Sequence, residues 1–131
     1  MIVVDASALV AIGDGEPDAL EYVRVLAAND AVIASINYVE AGIILISRRR
    51  MIAKSNFDRW LSELKVEVHR HDDLSSGALQ AYLTYGRGFH RAKLNLADCF
   101  AYALAIRLNA ALLYKGDDFA LTDVRRALQP T

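Results

Sequence analysis

Apolar positions along this chain fall into two kinds of run. Short, consecutive, β-branched runs end abruptly at polar residues, and longer runs repeat at helical spacing. "IVV" at residues 2–4 is the first short run and predicts a buried strand with both faces covered. "AVIAS", after a loop at "ND", reads as the second strand, "VEVHR" as a third with alternation, and "AALLY" as the fourth. Between them lie helical stretches. Residues 7–12 form one or two turns, and residues 19–28 a helix with Leu20, Val23 and Leu26 or Ala27 inward. "INYVEAGIILISRRR" is a third helix, and "KSNFDRWLSELK" a fourth with Phe57, Trp60, Leu61 and Leu64 as its stripe. Helices follow to about Tyr85 and across "LADCFAYALAIRL", separated by the polar connection "FHRAKLN". "KGDDF" reads as a turn and the remaining tail as a short helix. Alternation of strands and helices predicts an α/β fold, a mostly parallel central sheet flanked by helices, in one domain spanning 1–131.

Composition narrows the class. The chain has 131 residues, 54% of them hydrophobic and 24% charged, so it is globular in character and large enough for a core. A net charge of −1 gives no global pull toward nucleic acid. The distribution is uneven, however. Before Arg48 the charges are acidic except for Arg24, and from Arg48 to Lys93 basic residues outnumber acidic ones, so an acidic site can sit beside a basic surface. One cysteine, Cys99, cannot form an internal disulfide and predicts a reducing cytoplasm. No apolar run approaches the ~20 residues of a membrane span, and no basic region precedes the first apolar run as in a signal peptide.

Four acidic positions carry the chemistry. Asp5 ends the first strand, where a ligand site is expected in a parallel sheet. Asp117 and Asp118 follow the fourth strand. Glu40 lies mid-helix among Val39, Ala41, Ile43 and Ile44, and Asp98 opens the Ala-rich helix on the face of Ala101, Leu104 and Ala105. Each has a structural alternative. Asp5 can cap the turn after it together with Ser7, Asp98 can sit in the first turn of a helix capped by Asn95, and "KGDD" can be a solvated turn. Capping does not explain Glu40. Converging carboxylates raise one another's pKa, and a divalent cation removes that penalty. Oxygen-only donors suit Mg²⁺ or Mn²⁺, the ions of phosphoryl chemistry.

"VVDASAL", "NYVEAGIIL", "LNLADCFAYALA" and "LLYKGDDFALTDV" resemble, in order and spacing, the acidic motifs of PIN domains, and more narrowly of VapC toxins from VapBC toxin–antitoxin pairs. The resemblance runs nearly end to end. It implies a PIN fold and a metal-dependent endoribonuclease leaving 5′-phosphate and 3′-hydroxyl ends. Asp5, Glu40 and Asp98 take the first three acidic positions, with Asp5 and Asp98 as the main metal ligands. Asp118, directly before Phe119, takes the fourth, with Asp117 as the alternate. Ser7 matches a hydroxyl residue two positions after the first acid. The resemblance also implies a homodimer and a VapB-type antitoxin that covers the acidic pocket. "YLTYGRGFHRAKLN" is similar to one subgroup's loop, but Lys93 and Ala97 stand where Gly is common there.

Other polar features carry less. Arg87, His90, Arg91 and Lys93 around Phe89 suit an RNA contact strip, with His90 also a candidate general acid. His69 and His71 in "VHRHDD" share a strand face but lack further ligands, and the paired acids after them read as solvated, so no metal site is assigned there. Arg48 to Arg50 read as a helix end, and Cys99 has no base partner. Receiver domains and haloacid-dehalogenase-like phosphatases also cluster acids at strand ends. The first needs a central phosphoacceptor Asp with a later Lys, and the second an Asp where Ser7 stands. A PIN scaffold that only binds RNA or protein is the third alternative.

Overall fold

The computed structural model describes residues 1–128. Its frame is a four-stranded sheet, all parallel, in the order β3-β2-β1-β4. The strands are β1 (Ile2–Val4), β2 (Ala31–Ala34), β3 (Val66–His69) and β4 (Ala111–Leu113). The helices are α1 (Ala6–Gly13), α2 (Ala19–Ala27), α3 (Ser35–Ser47), α4 (Lys54–Glu63), α5 (Ser75–Tyr85) and α6 (Leu96–Arg107). A 3₁₀ turn at Phe119–Leu121 follows β4.

The period-2 geometry of a strand divides the core in two. Val3, Val32, Ala34 and Leu112 pack on one face with Leu94, Leu104 and the alanines of α5 and α6. Ile2, Val4, Ile33 and Leu113 pack on the other with Leu9, Leu45, Phe57 and Leu61. The consecutive apolar run of β1 therefore serves both layers, and Val3 and Val4 are fully buried. β3 is an edge strand and alternates, with Val66 buried and Glu67 exposed.

Three local expectations change. In α2 the inward residues are Tyr22 and Leu26, while Leu20 is 59% exposed, because Tyr22 presents the larger apolar body one turn before Leu26. α3 stops at Ser47, and the chain turns through a left-handed Arg49 at φ 58°. Residues 122–128, after the 3₁₀ turn, form no helix; the expected tail helix otherwise falls outside the described residues. Its backbone pairs with the outer edge of β4, Leu112 N–H donating to the Arg125 carbonyl at 2.8 Å and Ala127 N–H to the Leu112 carbonyl at 2.9 Å. Covering an open sheet edge outweighs the weak helical pattern there.

The sheet order places a switch point. From β1 the chain steps to β2 and β3 on one side, then β4 returns to the other side of β1. The segments leaving β1 and β4 therefore diverge, opening a crevice at their carboxyl ends. Asp5 N–H donates to the Leu113 carbonyl at 2.9 Å, tying the two exits together.

Candidate active site

At that crevice lies a groove of about 360 Å³ lined by Asp5, Ser7, Glu16, Glu40, Ile44, Arg48, Asn95, Asp98 and Lys115. It draws residues from α1, α3, α6 and the loop after β4, which share no sequence neighbourhood.

Asp5 caps α1 as one reading of the sequence expects, yet the cap uses half of its carboxylate. Oδ2 accepts from Ser7 N–H at 3.0 Å and from Ser7 Oγ at 2.5 Å. Oδ1 is buried and has no hydrogen-bond partner. Desolvation pushes the Asp5 pKa up, against the bonds from Ser7 and the Ala6 backbone that favour the anion. Ser7 does more than cap. Its Oγ also accepts from Lys115 N–H at 3.0 Å, linking Asp5 to the loop that carries Asp117 and Asp118.

Asp98 is likewise both cap and groove residue. Asn95 Oδ1 accepts from Asp98 N–H at 2.8 Å, and Asp98 Oδ2 accepts from Asn95 N–H at 3.0 Å, a complete capping box. Its pKa is nevertheless pushed up to about 7. Desolvation is the main cause, the Asn95 bond opposes it, and the charges of Asp5, Glu40 and Asp118 add to it. Glu40 is raised by desolvation and then by Asp5, with an Asn37 hydrogen bond opposing. The side of α3 around it is not core: Val39 and Ile43 are 50% and 61% exposed, and Ile44 shares the groove.

The two candidates for the fourth acid separate by the charges they act on. Asp118 is close enough to raise Asp98, whereas the charge of Asp117 acts on Tyr114. Both are exposed. Among the described residues no three His, Cys, Asp or Glu side chains are grouped so as to hold a metal ion. Two carboxylates, each with an oxygen not engaged in its cap, would suit an ion that keeps several waters, as Mg²⁺ does, rather than one in an all-protein cage. The orphaned Asp5 Oδ1 and the raised Asp98 fit such an ion: each is a carboxylate oxygen whose charge the protein leaves uncompensated.

The strip from Arg87 to Lys93 does not line this groove. Arg87, Phe89, Arg91 and Lys93 are exposed on a compact loop closed by a Gly86–Leu94 bridge. A Cβ on Gly86 would run into the Tyr82 carbonyl, so only glycine leaves α5 at that point. Lys93 adopts a left-handed φ of 52°, a conformation natural for glycine. His90 Nδ1 accepts from Ala92 N–H at 3.0 Å, which leaves the proton on Nε2, and its ring meets Tyr85 edge-on. Its place in the loop is explained by folding, and it sits outside the carboxylate groove. Cys99 is buried with its thiol pushed up to about 11 by desolvation and then by Asp98, so it carries no thiolate.

Comparison with known proteins decides the family. The PIN-domain model matches residues 2–125. Ribonuclease VapC of Mycolicibacterium smegmatis is 43% identical, over 94% of this chain and 97% of its own length. Ribonuclease VapC28 of Mycobacterium tuberculosis is 39% identical, over 97% of this chain and 98% of its own. VapC ribonuclease Mb0640 of Mycobacterium bovis is 37% identical, over 98% of this chain and all of its own.

This chain belongs to the VapC family of PIN domains.

In this PIN domain, sequence reasoning missed the polar residues that hold the acids. Asn37 is fully buried, and its side-chain amide donates to the Ala97 carbonyl at 3.0 Å, pinning α3 to the start of α6. An Asn among apolar residues one turn before Glu40 was the available signal. Lys115 was hidden in a turn. Its Nζ reaches Glu16 at 2.8 Å and Asp18 at 3.1 Å, joining the α1–α2 loop to the loop after β4.

Proposed function

We propose that this PIN domain is an Mg²⁺- or Mn²⁺-dependent endoribonuclease and the toxin of a toxin–antitoxin pair. One observation carries the reading: a buried Asp5 with an unpartnered oxygen shares a groove with Asp98, an acid whose pKa is pushed up to about 7. Folding alone favours neither condition, and a divalent cation relieves both. Asp5 and Asp98 are the proposed ligands, each with one oxygen already fixed by Ser7 or Asn95 and the other available. When bound, such an ion supplies a Lewis acid that lowers the pKa of water and offsets charge on a phosphodiester. Glu40 and Asp118, with Asp117 as the alternate, complete the acidic pocket and orient water. Ser7 holds Asp5 and the loop after β4 in register. Arg87, His90, Arg91 and Lys93 contact the RNA away from the cleavage point, where Phe89, 58% exposed, offers a ring for stacking. The products are 5′-phosphate and 3′-hydroxyl ends.

The names of the relatives support the ribonuclease reading, and a VapB-type antitoxin and a homodimer follow from it. Two exposed apolar grooves support a chain that is covered by protein in the cell. One is built from Tyr38, Val39, Ile43 and Phe57, the other from Leu79, Tyr82, Leu96 and Phe100. Among the described residues no helix is long and apolar enough to cross a membrane. The lone buried Cys99 supports a reducing cytoplasm as its location.

The test is cleavage of total bacterial RNA with Mg²⁺, with Mn²⁺ and with EDTA, with wild type and Asp98→Asn side by side. Discrete, metal-dependent products absent from the variant are expected. A folded, metal-supplied wild type that binds RNA without cutting it would favour a binding scaffold instead.

A further inference from the structure

Two cations line the acidic groove, Arg48 and Lys115, and they are not equivalent. Lys115 is held by two carboxylates, Glu16 and Asp18, so its cluster has one negative charge in excess. Arg48 shares one carboxylate with Arg50. Arg48 Nη1 and Arg50 Nε, the latter at 3.0 Å, donate to different oxygens of Asp14, and that cluster has one positive charge in excess.

The fold fixes this arrangement. Asp14 and Arg48 are the C-caps of α1 and α3. The two helices pack so closely at Gly13 that a Cβ there would strike the Leu45 side chain. The left-handed turn at Arg49 then brings Arg50 back toward the same carboxylate. Asp14 is only 12% exposed, while the Arg48 and Arg50 side chains are 53% and 51% exposed. A guanidinium has five N–H donors, and each of these makes one bond to Asp14, so donors remain for a ligand.

A phosphodiester entering a groove lined by Asp5, Glu16, Glu40 and Asp98 meets repulsion unless a cationic surface adjoins it. A guanidinium fork matches phosphate oxygens and holds its charge at any relevant pH. We propose that Arg48 and Arg50, clamped by Asp14, form a phosphate-binding subsite for the backbone of single-stranded RNA at the rim of the acidic groove. The choice of RNA as the polyanion rests on the ribonuclease reading; the subsite itself rests on the Asp14 clamp and its excess charge. It gives the substrate a direction, since the strand leaves the groove on the arginine side and not past Lys115.

The experiment measures binding rather than turnover. A fluorescein-labelled, mixed-sequence single-stranded RNA is titrated with the Asp98→Asn protein in Mg²⁺ across a range of salt concentrations. Arg48→Gln with Arg50→Gln is expected to weaken Kd about tenfold and to flatten the slope of log K against log salt by about 1, near the ~0.7 lost per phosphate contact on a single strand. Arg48→Lys is expected to keep the slope and lose part of the affinity, because the charge stays and the fork goes. Arg49→Gln, one residue away and outside the Asp14 clamp, is expected to change neither. Thermal melts confirm that each variant is folded. Unchanged affinity and slope in the double variant overturn the subsite, as does a loss confined to binding of a protein partner. If the otherwise wild-type enzyme cleaves no RNA while the double variant still loses affinity and slope, the nuclease reading fails and the subsite stands.

Discussion

Two groups of acids sit at carboxyl ends of this sheet, and they have been treated oppositely by the fold. Beyond β3, Asp72 meets His69 Nε2 at 2.8 Å and Arg107 Nη2 at 2.9 Å. Asp73 accepts from the N–H and hydroxyl of Ser75 at the start of α5. Both carboxyls are held below the usual range, Asp72 chiefly by its bond to His69 and Asp73 by its bonds to Ser75. In the groove beyond β1, Asp5, Glu40 and Asp98 are partly or wholly buried, act on one another's charge and are all raised. Clustered acids alone therefore say little. What marks a site is acid that the fold leaves unsatisfied, since retaining it costs stability that some other role must justify.

The largest contrast is in cleavage. Asp98→Asn and Asp5→Asn are expected to lower RNA cleavage by more than about 100-fold, a loss of some 3 kcal/mol of transition-state stabilisation. Asp72→Asn should leave the rate within about twofold, since surface pairs contribute little. Quantified cleavage of one defined RNA checks all three.

The pH dependence of metal-free stability should also differ in sign. Asp98 is raised from 3.8 to about 7, so between those values the folded state keeps a proton that the unfolded state has lost. Its contribution is present below about pH 4 and disappears as pH rises through 7. Asp72 is lowered, so its contribution is present above about pH 4 and disappears in acid. Melts in EDTA should show Tm falling by about 5 °C from pH 5 to pH 8. Asp98→Asn should flatten that fall, Asp72→Asn should not, and Mg²⁺ should reverse it at pH 8.

Smaller effects sharpen the site's edges. Ser7→Ala removes the hydroxyl joining Asp5 to Lys115, and a loss of about tenfold in apparent metal affinity is expected from a supporting hydrogen bond of this kind. Asp118→Asn should lower the pKa of Asp98, read from its carboxyl carbon by NMR, whereas Asp117→Asn should leave it in place, because of these two acids it is Asp118 whose charge raises Asp98.

Much of this was legible in the chain. The strands are short β-branched or aliphatic runs whose polar terminations mark their ends, and the buried stripe of α4 through Phe57 and Leu61 follows the sequence spacing. Asp5 and Asp98 stood out because each follows or precedes an apolar run. The sequence left open whether they were caps or site residues, and the structure shows that the alternatives were not exclusive. One oxygen of each is engaged in its cap. Less legible was everything set by tertiary contact. The tail's pairing with β4 depends on an open edge, which local periodicity does not record. Arg48 to Arg50 read as a helix end, and Arg48 is one, but its placement in the groove depends on α1 packing against α3 through Gly13. Lys115 and Glu16 lie 99 positions apart and meet only because β4 returns beside β1.

The most direct test is Mn²⁺ binding near pH 7, followed by calorimetry in buffers of different ionisation enthalpy, for wild type, Asp5→Asn and Asp98→Asn. If the unsatisfied acids form a metal site, wild type binds saturably and releases protons on binding, because Asp98 is partly protonated at that pH. Both variants should then lose most of the affinity. Binding by the two variants equal to wild type, or no saturable binding by any of the three, would contradict it.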